Sequence, residues 1–177
     1  MNMANDQAIA AVLDSVLALL ESNAPAKGFG GAMLKFKVVQ SRDLDVPPPA
    51  GITLYLYSVT PNSNLSNQPP GRLNPDGGRL TPSLNVDLHF LLTAWARDAR
   101  LQQEITGWMM RQVGNTPLLS AVMLNQHYTG VFTPEETVEL SLETLTTEQL
   151  LGIWKAASPK GYQTSVPYIA RRVGIDS

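Results

Sequence analysis

Leu84-Asn85-Val86-Asp87-Leu88-His89-Phe90-Leu91-Leu92-Thr93-Ala94-Trp95 is the stretch that decides the fold. Leu84, Val86, Leu88, Phe90, Leu92 and Ala94 alternate with Asn85, Asp87, His89, Leu91 and Thr93, the two-residue period of a β-strand with one face in a core. Counted from Ser83 to Trp95 it is the longest strand in the sequence, which predicts a central place in a sheet. On its carboxy-terminal side a helix is expected from about Asp98 to Val113, with Leu101, Ile105, Trp108, Met109 and Val113 on one face. Gly114-Asn115 before Pro117 marks its stop, and Leu118 to Leu124 adds a short helical turn.

On the amino-terminal side, Ile52 to Val59 forms another strand, with Ile52, Leu54 and Leu56 on one face and Tyr55 and Tyr57 on the other, so both faces are expected to be partly covered. Met33 to Val39 is a shorter strand with a wet face bearing Lys35 and Lys37. Ahead of it, Ile9, Val12, Leu13, Val16, Leu17 and Leu20 place an apolar stripe on a helix from Asp6 to Ser22, capped by Asn5 or Asp6. Pro25, Gly28, Gly30 and Gly31 end that helix, and Gly28 to Gly31 is expected to act as a flexible hinge.

Further along, Thr137 to Leu142 alternates as a half-exposed strand. Thr146 and Gln149 fit a capping box that opens a helix through Leu150, Leu151, Ile153 and Trp154. Gln163 to Val173 is the last strand, and its Pro167 argues for an edge position or a bulge, because proline cannot donate to a ladder. The sum is an α+β fold: one domain over residues 1–177, a mixed or antiparallel sheet packed by about three helices. A long polar loop at about 60–82 is dominated by proline, glycine and asparagine, a composition that buries too little apolar surface to order itself.

Composition narrows the function. Hydrophobic residues make up 44% of the 177 residues and charged residues 16%, well under the roughly 25% of an average soluble domain. The surface is therefore unusually neutral, as surfaces that meet other proteins often are at their centre. A net charge of -2 supplies no field to attract a polyanion, so nucleic acid is not an expected partner. No stretch reaches the roughly 20 apolar residues of a membrane helix, and the first apolar run lacks the basic start of a signal peptide, so synthesis and assembly in the cytoplasm are expected. Without cysteine there is neither a disulfide nor a thiolate metal site.

Catalytic constellations are equally scarce. His89 and His127 are far apart in sequence and lack metal-pair spacing, so no metal or cofactor is expected. Asp87 and His89 share a strand face, the arrangement of a base and its orienting carboxylate, yet no activated nucleophile accompanies them. A small hydrolase or ligand-binding domain built on these two residues is the reading they leave open; a hydrogen-bonded strand pair is the simpler one. Gly28-Phe29-Gly30-Gly31 has neither the lysine nor the helix of a phosphate loop. Glu135, Glu136, Glu139 and Glu143 are expected on a solvated edge. Strict alternation points Arg171 and Arg172 to opposite faces, where they cannot form one patch and are expected to make a salt bridge across an interface.

Three segments carry a resemblance. Leu54-Tyr55-Leu56-Tyr57-Ser58-Val59-Thr60-Pro61-Asn62, continuing through Asn64, Leu65 and Asn67, is a strand running into a polar loop. Leu84 to Ala94 looks like a central strand written "LDLHYLLTAY", followed by a helix leading to Asn115-Thr116-Pro117-Leu118. Val138-Glu139-Leu140, Leu145-Thr146, Leu150 and Trp154 then lead to Tyr162-Gln163-Thr164-Ser165-Val166-Pro167-Tyr168. In that order the segments resemble the tube-capping, tail-terminator proteins of phage-tail-like contractile injection systems, across nearly the whole chain. Asn85 and Pro167 depart from the pattern, where a small apolar residue and an alanine are usual, and the extra carboxy-terminal region of longer relatives is not in this sequence.

The resemblance implies a tail-terminator-like fold and a non-enzymatic role. It implies a ring, of six copies of the chain, on the baseplate-distal end of the inner tube and sheath, ending polymerisation and joining sheath to tube. A phage-type tail completion protein or neck adaptor is the alternative. Contacts with other copies, with tube and with sheath are expected in the 60–82 loop, at Asn64, Leu65, Asn67, Arg72 and Arg79, in the Asn23 to Gly31 connector, and on the last strand, at Pro167, Tyr168, Arg171 and Arg172.

Overall fold

The apolar stripe of the first helix sets one layer of the molecule. In the computed structural model, which describes residues 6–62 and 84–175, helix α1 runs Ala8–Ser22 and buries Ala8, Ala11, Val12, Val16 and Leu20. Its start differs from expectation: Gln7 is the N-cap, its carbonyl accepts the Ala11 amide at 2.8 Å and its side chain makes no capping bond, while Asn5 lies outside the described residues. Asn23 closes the far end by donating its amide nitrogen to the Leu19 carbonyl at 2.7 Å.

The glycine-rich stretch that follows is a built turn rather than a hinge. Phe29 and Ala32 exchange both backbone hydrogen bonds at 2.9 Å, and Gly30 and Gly31 between them take φ of 55° and 80°, which residues with a Cβ seldom adopt. Phe29 is then held edge-on against Trp108 at 5.3 Å between ring centroids.

Six strands follow the predicted alternation: β1 (Lys35–Val39), β2 (Gly51–Pro61), β3 (Leu84–Trp95), β4 (Leu118–Ser120), β5 (Thr137–Leu142) and β6 (Ser165–Ile175). They form one sheet in the order β1-β2-β3-β6-β5-β4. Only the β1–β2 pair is parallel among them, so the sheet is mixed. Helices α2 (Ala99–Asn115), α3 (Ala121–Leu124) and α4 (Thr147–Ala157) complete the fold, with a 3-10 turn at Ser41–Asp45. That is one helix more than the three expected, and the class is the α+β predicted.

Three departures have local causes. Leu118–Ser120 is strand, not helix, because the Pro117 carbonyl accepts the Leu140 amide at 2.8 Å and Leu119 lies opposite Val138; only Ala121–Leu124 is helical. α2 runs two residues past the expected Val113, to Asn115, within the Gly114-Asn115 stop; Thr116, held extended by the proline after it, ends the helix. Pro167 is not on an edge strand, since β6 lies between β3 and β5. Its carbonyl accepts the Glu143 amide at 3.0 Å, so its missing N–H points the same way, toward Glu143 one residue past the end of β5, where the ladder closes on a single hydrogen bond.

Two apolar layers sandwich the sheet. On one face Leu88, Phe90, Leu92 and Ala94 of β3 meet α1, Leu101, Ile105, Met109 and Val113 of α2, and Leu124 of α3. On the other, Leu91 and Trp95 of the same strand meet Val39, Leu44, and Trp154 and Ala157 of α4, with Tyr55 and Tyr57 at the margin. The second layer has an internal hydrogen-bond frame: Trp95 Nε1 donates to Thr53 Oγ1 at 2.8 Å, Trp154 Nε1 to Ser165 Oγ at 3.1 Å, and Thr93 and Ser165 share a bond of 2.7 Å. The expected capping box holds α4 in place, with Gln149 N donating to Thr146 Oγ1 and Thr146 N to Gln149 Oε1.

Phe90 is fully buried between α1, α2 and Tyr168, whose ring stacks on it at 6.1 Å. Phe90→Ala is expected to cost about 3–5 kcal/mol of unfolding free energy, measured by urea denaturation, because the cavity cannot collapse between two helices and a sheet.

Candidate assembly interface

Alternation along β6 breaks at one point. Val166, Tyr168 and Ala170 face the first core, and so does Val173, three positions on rather than two. Between them a β-bulge sets Arg171 and Arg172 against the single residue Asp87 of β3. Arg172 takes the left-handed φ of 61°, alone among the described non-glycine residues. Asp87 compensates for that conformation. Its Oδ1 accepts the Arg172 amide at 3.0 Å and the Asn62 side-chain amide at 2.9 Å, while Oδ2 lies 3.8 Å from the Arg171 guanidinium.

The bulge overturns the expectation that the two arginines point to opposite faces. They lie on the same sheet face, and each meets a carboxylate of its own chain: Arg171 meets Asp87, and Arg172 meets Glu139 of β5 at 3.3 Å. Their salt bridges are therefore within the chain. A three-residue gap in the apolar pattern, Ala170 to Val173, is the sequence signal that marks such a bulge.

Two residues along β3 from Asp87, His89 occupies the same face. Its Nδ1 is 2.8 Å from Glu143 Oε1 and its Nε2 is 2.8 Å from Thr60 Oγ1. The Tyr57 hydroxyl donates to the other Glu143 oxygen. Burial, and then the adjoining Glu143 carboxylate, raise the Tyr57 phenol well above its ordinary range. Tyr57 is available because β2 has a bulge of its own, between Leu56 and Ser58. Glu143 is consequently half-buried and bonded, not on the solvated edge expected of it, whereas Glu139 keeps 41% of its side chain exposed.

These contacts do not pair Asp87 with His89; the carboxylate at the His89 ring is that of Glu143. Asp87 is committed to the β6 bulge and His89 to Glu143 and Thr60, so the two form separate networks with no base-to-orienter bond between them. Among the described residues no three His, Asp or Glu side chains converge as metal ligands would. Nor is any helix among them long and apolar enough to cross a membrane.

Of the residues expected at interfaces, Asn64, Leu65, Asn67, Arg72 and Arg79 lie outside the described residues. Tyr168 is 2% exposed and belongs to the core, where burial pushes its phenol up to about 12. Pro167 is half-buried on the strand next to β3, while Arg171 and Arg172 are exposed on the polar end of the sheet. That end borders both sides of the 63–83 segment: Asn62 is bonded to Asp87, and the Asn62 amide donates to the Asn85 carbonyl at 2.8 Å. Val59 and Leu84 are 41% and 54% exposed there, apolar surface on a stretch of sheet the helices do not cover.

The Pvc16 N-terminal domain family matches residues 8–177. The chain belongs to that family. Among solved structures, the fold is similar to a sheath/tube terminator of PVC, an extracellular contractile injection system, seen in its extended state. TM-score is 0.64 and identity 13%, over 96% of this chain and 57% of that one. It is also similar to the tube-terminating cap of the anti-feeding prophage AFP, with TM-score 0.62 and identity 13%, over 94% of this chain and 55% of that one. The chain thus spans a little over half the length of these two proteins. At this identity the likeness is one of fold, and it confirms the tail-terminator-like fold expected from the sequence. No curated protein matches the sequence.

Two outcomes test the site. Asp87→Ala leaves the left-handed Arg172 amide without its acceptor and should cost about 1–3 kcal/mol in chemical denaturation, with Arg172→Gly in that background recovering part of the loss. For Tyr168 the folded pKa lies above the unfolded value of 10.0, so the stability it contributes as a neutral phenol is complete below pH 10 and is lost as pH rises toward about 12. Tyr168→Phe should flatten the alkaline fall in stability over that window, followed by circular dichroism.

Proposed function

We propose that this chain caps the tube of a contractile injection system, as a ring of six copies on the baseplate-distal end that stops polymerisation and joins sheath to tube. The observation that carries the reading is a fold matched over at least 94% of the chain by two proteins described as a sheath/tube terminator and a tube-terminating cap. Membership of the Pvc16 N-terminal domain family supports it independently of fold comparison.

The physics of termination suits such a chain. A tube grown by head-to-tail contacts always presents an open end, and only a closed ring that matches that end without repeating it halts growth. Termination therefore needs interfaces and no reaction, in keeping with a polar network spent on bonds within the chain. At the root of the 63–83 segment, Val59 and Leu84 on one face of the sheet and Arg171 and Arg172 on the other are exposed and available to tube or sheath.

Light scattering of the purified chain, alone and with isolated tubes, is expected to give a particle about six times the 19.2 kDa chain mass. Deleting Asn67 to Gly78 is expected to leave the denaturation midpoint nearly unchanged while broadening the distribution of tube lengths. An unaltered length distribution removes the segment from the contact.

A further inference from the structure

Among the described residues the sheet has two open edges, β1 at one end and β4 at the other, and their chemistry differs in three respects. The first is hydrogen bonding. The Lys35 amide donates to Ala50 across the parallel pair, so by alternation the backbone groups of Phe36 and Val38 face away from β2. At the other end the Pro117 carbonyl faces β5, which turns the backbone groups of Leu118 outward. Each edge thus offers a strand's worth of unused donors and acceptors.

The second is apolar exposure. Val46 and Val122, each 84% exposed, are the barest large hydrophobic side chains among the described residues. Val46 lines the groove beside Phe36 and Lys37 at the β1 edge, and Val122 follows β4 directly. Met33, 67% exposed, and Leu118, 52% exposed, stand at the same two places.

The third is charge. Residues 22–42, which contain β1, carry Lys27, Lys35, Lys37 and Arg42 and no carboxylate. Asp43 answers Lys37 at 3.8 Å, and the other three cations have no ion-pair partner among the described residues. Residues 112–154, which contain β4 and β5, carry five glutamates and neither lysine nor arginine; Glu139 meets Arg172 and Glu143 is bonded to His89 and Tyr57, which leaves Glu135, Glu136 and Glu148 without a cation among the described residues. A β1 edge meeting a second β1 edge would set cations against cations, and two β4 edges would bring glutamates together. A β1 edge meeting a β4 edge joins opposite charges.

We infer that a second copy of this chain docks its β4 edge against the β1 edge of the first, extending the sheet from one copy to the next. The contact deepens the ring proposed above and rests on it. Strand polarity fits a rotation axis. Following the pairings from β1 through β2, β3, β6 and β5, β4 runs in the direction of β1, so copies placed side by side about an axis along the strands bring the two edges together parallel. In that pairing Lys37 lies opposite Leu118, while Phe36 and Val38 share the core face with Leu119. Because the two joined surfaces differ, the contact is head-to-tail, the kind that closes into a ring.

The chain has no cysteine, which makes the test direct. Lys37→Cys and Leu118→Cys in one chain lie at opposite edges of six strands, roughly 24 Å apart at about 4.8 Å per strand, too far for a bridge within one molecule. Under mild oxidation, in solution and on isolated tubes, the double variant is expected to give a ladder of covalent oligomers reaching the ring size, whereas either single variant stops at dimers. Lys35→Glu with Lys37→Glu is expected to raise the concentration for half-assembly by about tenfold or more. Ring-sized particles whose chains stay uncross-linked in the double variant overturn the edge contact and leave the ring reading standing. Monomers throughout, in solution and on tubes, overturn both.

Discussion

β3 is the constraint on which the rest of the molecule depends, because it is buried on both faces at once. Leu88, Phe90, Leu92 and Ala94 hold one helical layer against the sheet, and Leu91 and Trp95 hold the other. Its two backbone edges are also occupied, by β2 along nearly its whole length and by β6. Neither layer can shift without moving the strand that anchors the opposite one. Such two-sided packing lets a cysteine-free chain with few charges remain specific, since shape complementarity supplies what disulfides or ion-pair networks supply elsewhere.

The same strand changes character at His89. Toward Trp95 its second face is apolar and covered by α4; toward Leu84 it carries Asp87 and His89. A bulge flanks each of these residues, in β6 beside Asp87 and in β2 beside His89. Bulges add local twist and bend a strand, and carboxylates hold both here: Asp87 the β6 bulge, and Glu143, through Tyr57 and His89, the β2 bulge. The polar network is thus the framework of the sheet's less covered end, from which residues 63–83 depart. That framework gives His89, Asp87 and Glu143 a structural role.

Much of this was accessible from sequence, for identifiable reasons. Strand alternation located β2, β3 and β5 within a residue or two, because a sheet face in contact with a core enforces a period of two. Thr146 and Gln149 announced α4 because a capping box is local chemistry. What escaped depends on partners distant in the chain. Pro167 argued for an edge, yet tolerates an interior strand because β5 ends opposite it. Strict alternation puts Arg171 and Arg172 on opposite faces because it ignores the bulge that Asp87, 85 residues from Arg172, holds in place. β4 is three residues long, and its identity lies in its pairing with β5 rather than in its own pattern.

The central claim is that this chain ends a tube. The most direct measurement is growth of purified tube subunits, imaged by electron microscopy, with the chain added at a small fraction of the subunit concentration. The account predicts that lengths stop increasing and that density for a ring covers one end of each tube. Tubes that lengthen at the same rate with both ends bare contradict it.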